Sequence, residues 1–324
     1  MKIVLVPDPA SPYGEDAFCR EVGLRASRRG HETKISTVAG FQDSAPGADV
    51  ILINGLQPAA VEGALKADRR LAVRLIDSFA DLPDSEIPRI RELLIRAQLV
   101  IVPSRYLAQL VASWGNGVHT ALVPYAYDRV RAHEPALITL RASRTAHFQI
   151  VATSKFSESC RPDLELLFAA VSRLRFDWHL TLVGQGPLLN AVEEYAHRIL
   201  PAERVSFAGL LPHLKVMEFL RAAKAYVVAS ASEGYPAMAL YALSEGCPVV
   251  APRCGAATEL ITDGVNGLLF KPDDPLSLCE TLVTLASVRG LSLRLIAGGV
   301  KTVEHHTWDA TVAATFEALE GLCR

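Results

Sequence analysis

The chain of 324 residues is long for one compact core and predicts two domains of ordinary size. Half of the residues are apolar and the formal net charge is −2, which favours a soluble globular protein and excludes the basic excess typical of nucleic-acid-binding proteins. The six cysteines are scattered without CxxC spacing, which indicates reduced thiols in the cytoplasm rather than a disulfide framework or a zinc site. We expect neither a signal peptide nor a membrane span, because the apolar runs are too short.

Short apolar runs alternate with helical patterns through the first part of the chain. Strands are predicted at Lys2–Val6, His31–Val38, Asp49–Ile53, Leu71–Ile76, Leu99–Val102 and His119–Val123. Helices are predicted between them at Ala17–Arg29, Pro58–Lys66, Ile87–Ala97 and Tyr106–Trp114. This alternation is typical of a parallel sheet with helices on both faces.

The periodicity fades after Asp128, which predicts a linker at residues 129–146. Alternation restarts with a strand at Phe148–Thr153 and continues through strands and helices to Phe270. The sequence therefore predicts two successive doubly wound units, at residues 1–128 and 147–305. Ligands in such sheets lie outside the carboxyl ends of the strands, so a cleft between two such units is the natural site.

One stretch in the second unit is typical of an anion site. The buried strand Tyr226–Ala229 is broken by Ser232-Glu233-Gly234, and Pro236 suits the first turn of a helix. A second strand and the helix that begins near Gly255 follow at once. Two helix N-termini at neighbouring strand ends would attract an anion. The alternative is an ordinary pair of strand–helix units in which Glu233 is solvated or caps its helix.

The motifs of the second half resemble a known family. The segments VGQGPLLNAVEEYA, RVSFAGLLPHLKVMEFLRAAKAYVVASASEGYPAMAL, GCPVVAPRCGAATELITDGVNGLLFKPDDP and HTWDATVAATFEAL are similar, in this order, to retaining glycosyltransferases of family 4 (glycosyl transferases group 1). The resemblance implies an α/β protein of the GT-B class, with two Rossmann-like doubly wound parallel-sheet domains facing across a cleft. Residues 1–128 would be the acceptor-side domain, residues 147–305 the donor domain, and a C-terminal helix at 306–324 would pack back on the first domain.

The resemblance also implies roles for particular residues. In the second domain, Glu233 would reach the donor sugar, and Lys155 and Arg161 would hold the diphosphate; these are the catalytic candidates. The donor-binding candidates are Gly234, Tyr241, Gly184 and the backbone N–H groups of Tyr235, Ala237 and Met238, although helix entry explains the turn at Gly184 more simply. The acceptor-side candidates are Tyr13, Gly14 and Asp77. The sequence contains no Asp-x-Asp motif, so we expect a mechanism without a metal or other cofactor.

Three positions depart from the family pattern. Tyr241 stands where the family carries a second Glu for the ribose hydroxyls, and Glu245 is one helical turn too far to replace it. Ile76 stands where the family carries a His, and the glycine pair of the first loop is reduced to Gly14. These departures leave two readings open: a glycosyltransferase with an unusual donor, or a non-catalytic GT-B partner or glycan-binding subunit. A nucleotide-sugar epimerase of the same architecture is a third.

The expected partners are a nucleotide sugar and a carbohydrate, lipid or natural-product acceptor, with a protein partner under the second reading. Four arginines at the first helix would otherwise be a solvated face, yet they leave a weak contact with an anionic membrane open: Arg20, Arg25, Arg28 and Arg29. The run Glu304-His305-His306 suggests a metal site only superficially, because adjacent helical side chains point apart.

Overall fold

The computed structural model divides into two compact units, Met1–Ala126 with His306–Arg324, and Tyr127–His305. The structure describes residues 1–8, 17–37, 46–77, 79, 82, 85–114, 117–127 and 147–323. The linker predicted at 129–146 lies outside the described residues.

The first unit is built on a six-stranded parallel sheet. Its strands are β1 (Lys2–Val6), β2 (Glu32–Ile35), β3 (Val50–Asn54), β4 (Arg70–Arg74), β5 (Leu99–Val102) and β6 (Thr120–Leu122). Its helices are α1 (Ala17–Ala26), α2 (Pro58–Lys66), α3 (Ile87–Arg96), α4 (Arg105–Ala112) and the C-terminal helix Trp308–Cys323. The strand order β2-β1-β3-β4-β5-β6 reverses direction at β1, so the topological switch point lies between β1 and β3.

The second unit repeats this construction with a second six-stranded parallel sheet. Its strands are β7 (Phe148–Thr153), β8 (Trp178–Val183), β9 (Val205–Phe207), β10 (Ala225–Val227), β11 (Val249–Pro252) and β12 (Gly267–Phe270). Its helices are α5 (Arg161–Val171), α6 (Leu189–Ile199), α7 (His213–Ala222), α8 (Ala237–Ser244), α9 (Ala257–Leu260), α10 (Pro275–Ser287) and α11 (Leu291–Val303), and the C-terminal helix becomes α12. The order β12-β11-β10-β7-β8-β9 places the switch point between β7 and β10.

Local signals explain where several helices begin. Ser104 caps α4 by accepting a hydrogen bond from the Leu107 N–H at 3.0 Å. Asp274 caps α10 in the same way through the Leu276 and Ser277 amides, and Pro275 follows in the first turn, where its missing N–H costs nothing. The strands are short and apolar because a parallel sheet covered by helices buries both faces.

Helix α12 completes the core of the first unit. Val312, Phe316 and Leu319 are buried in one cluster with Leu5 of β1 and Phe18 of α1. A helix distant in sequence thus covers part of one face of the first sheet.

Several predicted boundaries differ from the structure by a few residues. The strand predicted at His31–Val38 is only Glu32–Ile35, and the helix predicted at Ala17–Arg29 gives way to a 3-10 turn at Ser27–Arg29. That turn ends at Gly30, whose φ of 74° suits glycine. Among the residues that the structure describes, no single helix has the length and apolar composition to cross a membrane. The pair α10 and α11 meets those criteria only jointly, across a bend of 101°.

Phe316→Ala is expected to destabilise the first unit by about 3–5 kcal/mol, because it removes a fully buried ring from the core. Urea unfolding followed by circular dichroism measures the change. The matched control is Glu317→Ala on the exposed side of the same helix, which should change stability by less than about 0.5 kcal/mol. Equal effects of the two changes would contradict the packing of α12 described above.

Candidate functional site

The candidate site lies at the carboxyl ends of β7 and β10, where the second sheet reverses its strand order. The two strands are paired through Tyr226 and Val151, and the Thr153 and Tyr226 hydroxyls hydrogen bond at 2.7 Å near the strand ends. Beyond this point the chain leaves β7 toward α5 and leaves β10 toward α8. Lys155 is the second residue after β7, and its side chain is exposed.

The loop that carries Lys155 is held against the turn after β8 by two glycines. A Cβ on Gly184 would lie 1.9 Å from the Ser154 carbonyl oxygen, and one on Gly186 would lie 1.7 Å from the Lys155 carbonyl oxygen. Gly184 also has a φ of 137°, which side-chain-bearing residues rarely adopt. The Phe156 carbonyl accepts a hydrogen bond from the Leu188 N–H at 2.9 Å. Gly184 therefore supports the Lys155 loop through backbone contact, and a direct contact with a donor stays a prediction.

The loop from Ser230 to Pro236 carries Glu233. The Glu233 side chain is half-buried, and Gly234, Tyr235 and Pro236 after it are buried. Helix α8 follows with Pro236 at the N-cap, one position before the first turn in which we expected it. Glu233 therefore lies just ahead of a helix N-terminus, where unpaired amide groups create a positive potential.

The amide groups at this helix start are not equivalent. The Ala237 N–H donates to the Tyr235 carbonyl at 2.8 Å, so it is engaged within the loop instead of facing outward as predicted. A role of the Tyr235 and Met238 amides toward a diphosphate stays a prediction.

Arg161 begins α5 and is largely exposed. Its Nε donates to Glu165 Oε1 at 3.0 Å, one turn along the helix, and this hydrogen bond raises the pKa of the guanidinium. An exposed ion pair of this kind contributes little to stability, so a phosphate could replace Glu165 at small cost. The predicted phosphate role of Arg161 requires this change of partner.

Asp163, which the sequence did not single out, lies in the first turn of α5, with Ser230 and Ala231 of the Glu233 loop near its carboxyl. Burial raises the pKa of this carboxyl, and the nearby charge of Asp273 raises it further. The sequence contained no signal for this proximity, because an acidic residue in a first helical turn is ordinary there.

Tyr241 occupies a cluster of rings. It meets His213 edge-on at a centroid distance of 4.8 Å and Tyr127 at 6.2 Å. Glu245 is buried and forms a bidentate ion pair with Arg221 of α7, with Nη2 at 3.2 Å from Oε1. Glu245 is thus committed to a structural pair, in agreement with the expectation that it does not replace the missing Glu.

Of the three acceptor-side residues predicted in the first unit, the structure describes only Asp77. Tyr13 and Gly14 lie outside the described residues. Asp77 is exposed shortly after β4. Sequence reasoning missed Arg74 at the carboxyl end of β4, which is buried, donates to Asn54 Oδ1 at 2.8 Å and lies 4.0 Å from the centroid of the Phe18 ring.

In the described part of the chain, no group of three His, Cys, Asp or Glu side chains is placed to hold a metal ion. The run Glu304-His305-His306 follows α11, and its His306 Nδ1 donates to the Tyr125 carbonyl at 2.8 Å. Metal independence stays a prediction.

Two α/β units with parallel six-stranded sheets define the GT-B fold, which confirms the predicted fold class. The solved structure of HepE (Alr3699) from Anabaena, in complex with UDP and glucose, superposes with a TM-score of 0.81 and 18% identity, over 99% of this chain and 100% of that one. Sucrose-phosphate synthase from Thermosynechococcus elongatus has the same TM-score, with 17% identity and coverage of 99% of both chains.

Sequence comparison identifies the family that the second unit resembles. Residues 147–287 match the family described as Glycosyl transferases group 1, which confirms that part of the resemblance for this segment; the retaining mechanism and family 4 stay predictions. A D-inositol 3-phosphate glycosyltransferase from Acidothermus cellulolyticus is 33% identical over 144 residues, which is 43% of this chain and 32% of the relative. The chain thus spans only about a third of that relative's length.

Gly184→Ala is expected to destabilise the second unit by about 3 kcal/mol, since its Cβ would collide with the Ser154 carbonyl. Gly290→Ala is the matched control, because Gly290 also has a positive φ, of 79°, but open space around it. That control should cost only about 1 kcal/mol from its left-handed backbone. Urea unfolding of the two variants provides the comparison, and equal losses would refute the close loop contact.

Proposed function

We propose that this protein is a glycosyltransferase that moves a sugar from a nucleotide-diphosphate sugar to an acceptor hydroxyl, with retention of configuration and without a metal. The observation that carries the proposal is that Lys155 follows β7, and Glu233 and the start of α8 follow β10, the two neighbouring strands that flank the switch point of the second sheet. Ligands bind at such points in open α/β sheets.

The proposed chemistry requires charge stabilisation more than a protein nucleophile. The bond between the sugar C1 and the diphosphate oxygen breaks, and negative charge grows on the diphosphate. The positive end of α8, the ammonium group of Lys155 and, after it leaves Glu165, the guanidinium of Arg161 would stabilise that charge. Glu233 would orient the sugar. The acceptor oxygen would then bond to C1 on the departing face and transfer its proton to the leaving phosphate oxygen.

The donor we propose is a UDP-sugar. HepE was solved with UDP and with UDP-glucose, and its fold extends over nearly the whole of this chain. Tyr241 and its ring neighbours would border the nucleoside. The Tyr241 hydroxyl would then stand in place of the Glu carboxylate that the family carries for the ribose. The acceptor we propose is a carbohydrate or another polyol, bound by the first unit near Asp77. The six free thiols are consistent with a cytoplasmic location, which we include in the proposal.

A second candidate is a non-catalytic GT-B subunit that binds a glycan or a partner transferase. Two observations favour it: Tyr241 is packed among rings, and Arg161 is already paired with Glu165. Nucleotide binding and turnover separate the two candidates.

Lys155→Ala is expected to weaken UDP binding by about tenfold to a hundredfold, because it removes one charge-assisted hydrogen bond to the diphosphate. Isothermal titration calorimetry with UDP, UDP-glucose and other nucleotide sugars measures the change. The matched control is Lys215→Ala, which removes an exposed lysine paired with Glu218 on α7 and should leave binding unaltered. Wild-type protein that binds none of these nucleotides would support the non-catalytic candidate instead.

Glu233→Gln should leave UDP binding nearly unchanged while lowering the rate of UDP release from UDP-glucose by about a hundredfold, since the sugar would lose its alignment. A coupled UDP assay with and without a panel of polyol acceptors reports the rate. Unaltered turnover in this variant would remove Glu233 from the mechanism. Donor consumed at the same rate without any acceptor, and without UDP release, would indicate the epimerase reading.

A further inference from the structure

Gln57, which the sequence did not single out, lies across the switch point of the first sheet. Strands β1 and β3 are paired there through Val6 and Ile53, and the chain leaves them toward α1 and α2. Gln57 follows β3 and is the N-cap residue of α2. Because ligands bind at such points in open α/β sheets, a polar side chain in this position is a candidate for ligand contact.

Two hydrogen bonds hold the Gln57 side chain in one orientation. Its Nε2 donates to the Pro7 carbonyl at 2.9 Å and to the Asn54 carbonyl at 2.7 Å. Pro7 follows β1 and Asn54 ends β3, so the amide joins the two strands where they diverge. Both N–H groups of the amide are thereby used. The other polar atom of the amide, Oε1, is turned away from these two carbonyls.

This Oε1 atom is a buried acceptor without a donor. Gln57 is only 8% exposed, and within the part of the chain that the structure describes no donor reaches Oε1. Buried polar atoms are nearly always hydrogen-bonded, since an unsatisfied one costs free energy. Gln98, before β5, shows the ordinary case, because its Oε1 accepts from the Leu71 N–H at 2.7 Å. A ligand or a water molecule must therefore supply the donor for Gln57 Oε1.

The surroundings of Gln57 favour a neutral donor. Arg74, at the end of the neighbouring strand β4, is buried and donates to Asn54 Oδ1 at 2.8 Å, so a positive charge is held beside this edge. That charge disfavours an ammonium group as the donor. A phosphate or a carboxylate has no hydrogen to give when it is ionised. A hydroxyl can donate to Oε1 and can also accept from the first amides of α2, which lack partners within the helix.

We propose that the switch point of the first sheet binds the acceptor, and that one hydroxyl of a neutral polyol such as a sugar donates to Gln57 Oε1. The name acceptor rests on the proposed function, whereas the binding of the polyol does not. The four residues next to Gln57 and its bonds are half-buried, so this edge lies close to the protein surface: Pro7, Asp8, Leu56 and Pro58. Gln57 would then select ligands that carry a hydroxyl at one particular position.

The test titrates polyols into the full chain without nucleotide. The probes are glucose, galactose, mannose and myo-inositol, followed by analogues of the tightest one in which fluorine replaces one hydroxyl at a time. Fluorine can accept a hydrogen bond but has no hydrogen to donate, so one analogue should bind wild type about tenfold more weakly than its parent. Wild-type protein that binds none of the four probes would overturn the proposal.

Gln57→Met identifies the partner of that hydroxyl, because it keeps the length of the side chain and removes its oxygen. The parent polyol should bind this variant about tenfold more weakly, and the fluorine that weakened binding to wild type should then change the affinity by less than about twofold. The matched control is Gln98→Met, which should keep the wild-type pattern. If Gln57 were only structural, the variant would bind every analogue more weakly by the same factor, and that result would overturn the proposal.

A measurement on wild type decides the matter if Gln57→Met does not fold. The side-chain amide resonance of Gln57 should shift when the parent polyol is added and should not shift with the analogue that lacks the donating hydroxyl. A resonance that stays in place while the polyol binds would mean that a buried water alone meets Oε1, which would also overturn the proposal.

Turnover separates this proposal from the proposed function. With UDP-glucose as donor, Gln57→Met should raise the KM for the polyol about tenfold and leave UDP affinity unchanged. An equal loss of UDP affinity would overturn the assignment of this edge to the acceptor. Wild-type protein that binds the polyol through Gln57 but binds no nucleotide would overturn the proposed function alone. Transfer to a polyol that does not depend on Gln57 would overturn only the present proposal.

Discussion

The candidate site depends on one constraint: β7 and β10 are adjacent in the sheet, yet their chains leave it in opposite directions. Parallel strands that diverge in this way expose their carboxyl ends and two helix starts at one edge. Lys155 and Glu233 are brought to that edge by backbone topology. In the proposed site, an anion at this edge would gain both from the charge of Lys155 and from the amides at the start of α8.

Close backbone packing fixes the position of the Lys155 loop at this edge of the sheet. Gly184 and Gly186 let the turn after β8 approach the Ser154–Lys155 carbonyls to a distance that no side chain would permit. The segment before Glu233 is held instead by hydrogen bonds: the Ser232 N–H donates to Ser230 Oγ at 3.3 Å, and the Cys254 thiol donates to the Ala231 carbonyl at 3.8 Å. One loop of the site is therefore fixed by steric contact and the other by hydrogen bonds.

The departures from the family pattern are accommodated within the fold. Tyr241 has become part of a ring cluster with His213 and Tyr127, and Glu245 is neutralised by Arg221. A buried carboxylate left without such a partner would be strongly destabilising. The region around Tyr241 is thus well packed, and this packing is compatible with the proposal of a donor that is recognised more by ring contacts than by a carboxylate.

Most of the fold could be predicted because its signals are local. The apolar run Phe148–Thr153, the proline at Pro58 and the Ser-Glu-Gly break before α8 all act through neighbouring residues. The proximity of Asp163 to Ser230 could not be predicted, because the two residues are far apart in sequence and an acidic residue in a first turn has an ordinary local role. The sequence alone determined the elements, their alternation and the candidate cation and carboxylate. Only the tertiary structure decided which of them meet, because hydrogen bonds and steric contacts between loops depend on how the sheet brings distant segments together.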